Sequence, residues 1–168
     1  SVSLYSRNGT SFDKKFHPVV ESLRKIGFNA VLDGEIVVVD DQGRPDFQLL
    51  QHYQAAGRGH LLYCVFDLLH FRGHDLTGLP LVRRKDLLKK ILPLGPRIRY
   101  SDHVGKEGVL FFNVAREKGL EGIVAKHSQS AYETGRRSRQ WLKVKTRRTQ
   151  EAVIAGFTEP GGGRKYLG

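Results

Sequence analysis

The sequence is poor in sulfur and in acids: its 168 residues include one cysteine, no methionine, and 17 Asp and Glu against 28 Lys and Arg. With Cys64 alone, the sequence can form neither an internal disulfide nor a multi-cysteine zinc site, and this cysteine usage is typical of a reducing, cytoplasmic compartment. No apolar run approaches the ~20 residues of a membrane span, and no signal peptide opens the chain. We therefore expect no membrane partner.

The shortage of acids leaves a net charge of +11, which favours a polyanionic partner such as nucleic acid. The excess is concentrated between residues 134 and 150, where seven cations occur without an acid: Arg136, Arg137, Arg139, Lys143, Lys145, Arg147 and Arg148. A solvated basic face is the alternative, but unneutralised cations repel one another, so we interpret the segment as phosphate-binding. A second basic run, residues 83–90, has the spacing of an amphipathic helix, and its cations are predicted to face solvent.

Hydrophobic residues make up 39% of the chain, as in a globular domain. Their periodicity predicts helices at 16–26, 45–54, 82–92 and 106–118, the first capped by Ser11 or Asp13, and strands at 2–6, 30–39, 61–71, 121–126, 140–146 and 151–157. The expected class is therefore α+β, with mostly antiparallel sheets flanked by helices. Because the chain opens in mid-strand and stops after a glycine-rich turn, we expect it to be part of a longer protein.

Three carboxylates interrupt or adjoin apolar strands: Glu35, Asp67 and Glu121. A buried carboxylate is costly unless it is paired or binds a metal, so either ion pairs with the many cations or a functional cluster would explain them. The alternation of the last basic strand places Lys143 and Lys145 on one face. Two neighbouring ammonium groups suit a phosphoryl group between them, or alternatively discourage edge pairing.

Five motifs occur in a fixed order along the chain. They are Ser6-Arg7-Asn8-Gly9, Leu32-Asp33-Gly34-Glu35-Ile36-Val37, Tyr63-Cys64-Val65-Phe66-Asp67-Leu68-Leu69, Glu121-Gly122-Ile123-Val124-Ala125-Lys126 and Trp141-Leu142-Lys143-Val144-Lys145. This series resembles that of the ATP-dependent DNA ligases, within the covalent nucleotidyltransferase superfamily, and is most similar to the ligase module of bacterial end-joining ligases (ligase D).

The resemblance implies that residues 1–149 form an N-terminally truncated adenylation (nucleotidyltransferase) domain and that residues 150–168 begin an OB-fold domain. The family's nucleophile is the lysine of a Lys-x-Asp-Gly motif. Asp-Gly occurs once here, at Asp33-Gly34, and Val31 stands where the lysine would be. We therefore expect that this chain alone does not self-adenylate.

The resemblance also implies roles for individual residues. Arg7 would contact the adenylate and later the DNA end, Glu35 would bind the ribose hydroxyls, and Phe66 would stack on adenine, with Tyr63 the second candidate for that platform. The remaining assignments are Glu121 as ligand of Mg²⁺ or Mn²⁺, Lys126 near the nucleotide, Lys143 and Lys145 as the catalytic pair on the α-phosphate, and Arg136, Arg137, Arg139, Arg147 and Arg148 on DNA.

The implied cofactors are ATP, as the source of AMP, and a divalent metal, and the implied substrate is nicked or broken duplex DNA. Polymerase or nuclease modules and end-joining factors would be partners, at the nucleoid in the bacterial cytoplasm, and exposed sheet edges would allow a homodimer. Two alternatives stay open: an RNA ligase or mRNA-capping guanylyltransferase relative, and a non-catalytic nucleic-acid-binding module.

Overall fold

The computed structural model describes residues 1–53, 58–93, 95–135 and 138–146, and it has the predicted α+β class. The predicted OB-fold segment, residues 150–168, lies outside the described residues. The helices are α1 (His17–Arg24), α2 (Phe47–Gln51), α3 (Leu81–Ile91) and α4 (Gly108–Glu117). The strands are β1 (Ala30–Val39), β2 (His60–Phe71), β3 (His74–Asp75), β4 (Ile98–Tyr100), β5 (Gly122–Lys126) and β6 (Trp141–Lys145).

The main sheet is built around β2, the long apolar strand. β1 and β3 pair with it antiparallel, and β4 pairs with it in parallel on its other side. The core lies against this sheet, where Val65 of β2, Val19 of α1 and Leu88 of α3 have no exposed surface. Burial of such side chains stabilises the fold by about 1.5–3 kcal/mol each, before the entropy of ordering them is subtracted.

Two bulges interrupt the pairing of β1 with β2. The register moves from Val31↔His70 to Leu32↔Leu68, and from Asp33↔Asp67 to Gly34↔Val65. Phe66 and Leu69 are therefore extra residues on β2 without a partner on β1. A bulge bends its strand and redirects side chains, and such features are frequent beside functional sites.

Gly34 lies next to the bulge, where the two strands approach closely. A Cβ atom at this position would lie 2.6 Å from the carbonyl oxygen of Cys64 and 2.6 Å from the ring of Tyr63. Only glycine allows the strands to pair here without a shift. Packing between the strands thus explains why position 34 is glycine.

The prediction for the cations of α3 is partly wrong. Arg83, Lys89 and Lys90 are exposed, but Arg84 and Lys85 are buried together with Leu81 and Leu88. This i, i+3, i+4, i+7 set forms the inner face of the helix. Two cations therefore lie on the face where the sequence pattern predicts only apolar residues.

The start of the chain also differs from the prediction. In place of a strand over residues 2–6, an isolated bridge joins Tyr5 to Ser11. The backbone N–H of Leu4 donates a hydrogen bond to Asp13 Oδ1, at 2.6 Å. Phe16 is the N-cap of α1 and provides no side-chain hydrogen bond, so neither Ser11 nor Asp13 caps this helix.

The small sheet consists of β5 and β6, paired antiparallel. Apolar side chains remain exposed there and on α4: Val109 is 78% exposed, Leu142 57% and Val124 53%. Homodimer formation through exposed sheet edges remains a prediction. Among the described residues, every helix is too short or too polar to cross a lipid bilayer.

Candidate nucleotide-binding cleft

An open cleft of about 3340 Å³ is bordered by β1, β2, α4 and the small sheet. Six of the residues predicted from the sequence line it, although they come from five separate motifs: Arg7, Glu35, Tyr63, Phe66, Lys126 and Lys143. Two predicted residues, Glu121 and Lys145, do not line this cleft. Tyr63 is 5% exposed and its hydroxyl donates to the carbonyl oxygen of Leu32, so its ring offers little open surface for a base.

A lysine held between aromatic rings occupies one wall of the cleft. Lys126 Nζ lies 3.8 Å from the ring centroid of Phe66 and 3.6 Å from that of Trp141, within the range of a cation–π contact. The two rings meet edge to face, 6.0 Å apart. Burial of the ammonium group lowers the pKa of Lys126 to about 8. Trp141 also lines the cleft.

Glu121 and Lys143 form an ion pair at the edge of the small sheet. Lys143 Nζ donates to Glu121 Oε1 at 2.7 Å, and both side chains are more than half exposed. This hydrogen bond lowers the pKa of the Glu121 carboxyl. Glu121 precedes β5 and is exposed, so the expectation of a carboxylate against an apolar core is wrong at this position.

The metal prediction rests on Glu121 alone. Within the described ranges no group of three His, Cys, Asp or Glu residues could hold a metal ion. Mg²⁺, however, is often bound by one or two carboxylates together with substrate phosphates and water. The residues present fit a metal that arrives with a nucleotide, and they do not form an all-protein metal site.

Asp67 forms an ion pair, as one of the two explanations for carboxylates in apolar strands predicted. Its carboxylate and the Arg84 guanidinium are both fully buried and form two hydrogen bonds, at 2.8 and 2.9 Å. Lys85 Nζ donates to the carbonyl oxygens of Phe66 (3.3 Å) and Ser101 (3.1 Å). The buried cations of α3 thus bind the Asp67 carboxylate and the carbonyl oxygen of the bulged residue Phe66, and they hold Phe66 at the cleft.

Glu35 is exposed on β1, whereas its neighbour Asp33 is partly buried. Tyr132 Oη donates to Asp33 Oδ2 at 2.8 Å, across 99 positions of sequence. Burial raises the pKa of Asp33, and the hydrogen bond from Tyr132 opposes that shift. Sequence reasoning missed Asp33, Tyr132 and Arg84, because only the fold brings their partners close.

The structure describes one of the five arginines predicted to bind DNA. Arg136, Arg137, Arg147 and Arg148 lie outside the described residues, and Arg139 is exposed. The segment that precedes β6 therefore places at least one cation at the surface. Assignment of these residues to DNA stays a prediction.

Comparison with known proteins identifies the family. The family model described as the ATP dependent DNA ligase domain matches residues 1–145, most of the chain. This chain belongs to the ATP-dependent DNA ligase family. The motif order predicted that assignment, and the α+β fold agrees with it.

Two curated relatives show how similar this ligase-family chain is to known proteins. It is 38% identical over 171 residues to the multifunctional non-homologous end joining protein LigD of Pseudomonas aeruginosa, covering 99% of this chain and 20% of that protein. It is 34% identical over 160 residues to the SPbeta prophage-derived DNA ligase-like protein LigB of Bacillus subtilis, covering 94% of this chain and 58% of that protein. The ligase-family chain thus spans only part of these relatives.

Solved structures agree with the family assignment. The crystal structure of the ligase domain of Mycobacterium tuberculosis LigD matches with a TM-score of 0.75 and 31% identity, over 86% of this chain and 48% of that one. A mycobacterial DNA ligase D complexed with ATP and MES matches with a TM-score of 0.77 and 29% identity, over the same shares. The ligase-family fold is therefore shared with proteins of the end-joining type.

Proposed function

We propose that this chain is the nucleotide-binding part of an ATP-dependent DNA ligase that seals nicked or broken duplex DNA. The observation that carries the proposal is the convergence of Arg7, Glu35, Phe66, Lys126 and Lys143 on one cleft. In this family AMP passes from ATP to a lysine and then to a DNA 5′-phosphate, and a 3′-hydroxyl displaces it. Each step is a phosphoryl transfer between anions, which requires cations more than proton-transfer groups.

The roles follow from the chemistry of each side chain. Phe66 offers a ring face for adenine, the Glu35 carboxylate accepts hydrogen bonds from ribose hydroxyls, and Arg7 supplies a fork of donors to the phosphate. Lys143 and Lys145 offset phosphate charge as AMP is transferred. A Mg²⁺ or Mn²⁺ ion held by Glu121 and the phosphates would neutralise further charge when bound.

The Glu121–Lys143 ion pair is part of this proposal. With the ammonium on Glu121 Oε1 at 2.7 Å, neither group is fully available for phosphate or metal. Because both side chains are exposed, the pair is worth at most about 1 kcal/mol and opens at little cost. Nucleotide binding with metal would replace it by Lys143–phosphate and Glu121–metal contacts.

The acceptor lysine of the family motif is not among these 168 residues. The proposal is therefore tested by measuring nucleotide binding, and not by measuring transfer of AMP to the chain. We expect the chain to bind ATP and AMP in isothermal titration calorimetry. Phe66→Ala should weaken binding roughly tenfold, the size of one lost base-stacking contact. Lys143→Ala should weaken ATP and AMP but leave adenosine unchanged, because it removes a phosphate contact.

Lys90→Ala, which removes an exposed cation of α3 outside the cleft, is the matched control and should bind as the unmodified chain does. Loss of ATP binding in the control as well would show a general charge effect. A chain that binds DNA but neither ATP nor AMP would contradict the proposal and favour the non-catalytic nucleic-acid-binding module.

We further propose, from the names of the relatives, that the parent protein acts in end joining, with polymerase or nuclease modules and end-joining factors as partners. The substrate implies a location at the bacterial nucleoid. The 1–149 adenylation-domain boundary and the OB-fold that would follow belong to the same proposal. The RNA ligase and capping-enzyme alternatives predict instead that single-stranded RNA, and not duplex DNA, is the better ligand.

A further inference from the structure

Tyr132 connects the parts of the cleft that the proposed function assigns to different portions of the nucleotide. It lies in the connection between β5 and β6, and its hydroxyl donates to Asp33 of β1 at 2.8 Å. Its backbone N–H donates to the carbonyl oxygen of Thr77, at 2.8 Å. Its ring meets that of Trp141 edge to face, with centroids 5.8 Å apart. One side chain thus contacts β1 and β6 at once.

The surrounding backbone anchors this connection to α3 and not to β1. Leu81 N donates to the carbonyl oxygen of Ser130 and Val82 N to that of Ser128, at 3.0 and 2.9 Å. Arg84 Nη1 also donates to Ser130 O, at 3.2 Å. Among the described residues, Tyr132–Asp33 is the side-chain hydrogen bond that joins this connection to β1. Its partial burial shields it from competing water.

The contacts of Tyr132 bear on the distance between the proposed ribose-binding residue of β1 and the proposed phosphate-binding residue of β6. Asp33 is two residues from Glu35 on β1, and Trp141 is two residues from Lys143 on β6. The Tyr132 side chain therefore sets the separation between the proposed ribose-binding carboxylate and the proposed phosphate-binding ammonium. Binding energy from two parts of one ligand adds fully only when the protein holds both groups at a fixed distance.

We propose that Tyr132 is a positioning residue that couples ribose recognition on β1 to phosphate recognition on β6. The proposal rests on the proposed nucleotide-binding function. It assigns to Tyr132 the preference of the cleft for AMP over adenosine, and not the affinity for the base itself.

The test compares the dissociation constants of AMP and adenosine for the chain and for Tyr132→Phe, which removes only the hydroxyl. We expect the preference for AMP to fall roughly fivefold, the size of one lost hydrogen bond, while adenosine binding stays within twofold. A purely structural role would weaken both ligands equally and leave their ratio unchanged. Tyr53→Phe is the matched control, since Tyr53 packs against Phe16 and does not line the cleft.

Asp33→Ala should give the same fall as Tyr132→Phe, and the double variant should be no worse than either single variant if the two residues act as a pair. Asp33→Asn retains one acceptor oxygen and should lose less than Asp33→Ala. These acceptor-side variants provide the comparison even if Tyr132→Phe does not fold.

Two results would overturn the proposal, and they differ. If the unmodified chain prefers AMP over adenosine and Tyr132→Phe keeps that preference, the positioning role is wrong while the nucleotide-binding function stands. If the unmodified chain binds no adenine nucleotide, the proposed function fails and the positioning role with it.

Discussion

Lys126 experiences two opposing effects at the cleft wall. Contact of its ammonium group with Phe66 and Trp141 stabilises the charge, whereas loss of hydration on burial destabilises it. Loss of hydration on burial is the largest cause of the lowering of its pKa to about 8. The charges of Asp67 and Asp33 favour the charged form, whereas those of Lys85 and Arg84 oppose it. Lys126 is thus a lysine that changes charge near physiological pH.

Trp141, the only tryptophan of the chain, reports on this titration directly. Because Lys126 Nζ lies 3.6 Å from its ring centroid, we expect the tryptophan fluorescence to change with a midpoint near pH 8. Lys126→Gln has no titrating group at this position and should show no such transition. A midpoint above pH 10 would mean that the aromatic rings stabilise the ammonium enough to offset its burial.

The same titration affects stability. Below pH 8 Lys126 is charged in both the folded and the unfolded chain, so the cost of burying the charge is present in full. Between the folded pKa of about 8 and the unfolded value of 10.5, the unfolded chain binds more protons, and stability therefore rises with pH. The rise over that interval is on the order of 3 kcal/mol relative to Lys126→Gln in urea unfolding.

At the level of elements, α3 supports the bulge of β2. Arg84 binds the Asp67 carboxylate with two hydrogen bonds and also donates to the carbonyl oxygen of Leu79. Lys85 binds the Phe66 carbonyl. The bulge leaves Phe66 without a partner on β1, and Lys85 of the helix supplies a partner for its carbonyl oxygen. The position of the predicted base platform thus depends on α3.

Arg84→Met tests this support. The substitution leaves the Asp67 carboxylate buried without its partner, and we expect a loss of about 3–5 kcal/mol in the free energy of unfolding, measured by urea denaturation. Arg83→Met, one residue earlier and exposed, should stay within about 0.5 kcal/mol of the unmodified chain. The double variant Asp67→Leu/Arg84→Met should be more stable than Arg84→Met alone. Near-normal stability of Arg84→Met would contradict a structural role for the pair.

The whole molecule has a distribution of charge that its fold does not require. Its net charge is +11, and only some of its cations are used in the interior, as Arg84 and Lys85 are. Among the described residues, others such as Arg83, Lys89 and Lys90 lie at the surface, where cations repel one another unless a polyanion neutralises them. The segment around residues 136–148 is predicted to bind such a polyanion.

Duplex DNA binding should therefore depend steeply on salt. If the five arginines of that segment each neutralise a phosphate, the slope of log K against log salt concentration is about −4.5. Fluorescence anisotropy with a labelled nicked duplex measures the slope, and Arg139→Ala should reduce its magnitude by about 1. Lys25→Ala removes an exposed cation outside this segment and should leave the slope unchanged. An equal effect of both variants would indicate general attraction without a defined surface.

The sequence by itself determined the elements and the family. The pattern of β-branched residues predicted β1 at 30–39, where it lies, and α3, α4, β5 and β6 were predicted to within two residues. The short strands β3 and β4 were missed, and the predicted strand 151–157 lies outside the described residues. The correctly predicted features are local, since alternation and helical spacing act over a few positions. The five motifs identified the family because their order along the chain is itself a property of the sequence.

Only the tertiary structure decided which side chains meet. Asp67 and Arg84 are 17 positions apart and Asp33 and Tyr132 are 99 apart, so no local pattern could pair them. Periodicity predicted that every cation of α3 faces solvent, but a buried carboxylate on β2 reversed this for Arg84. The bulge that places Phe66 at the cleft depends on the register of two strands, and register is fixed by packing between distant segments.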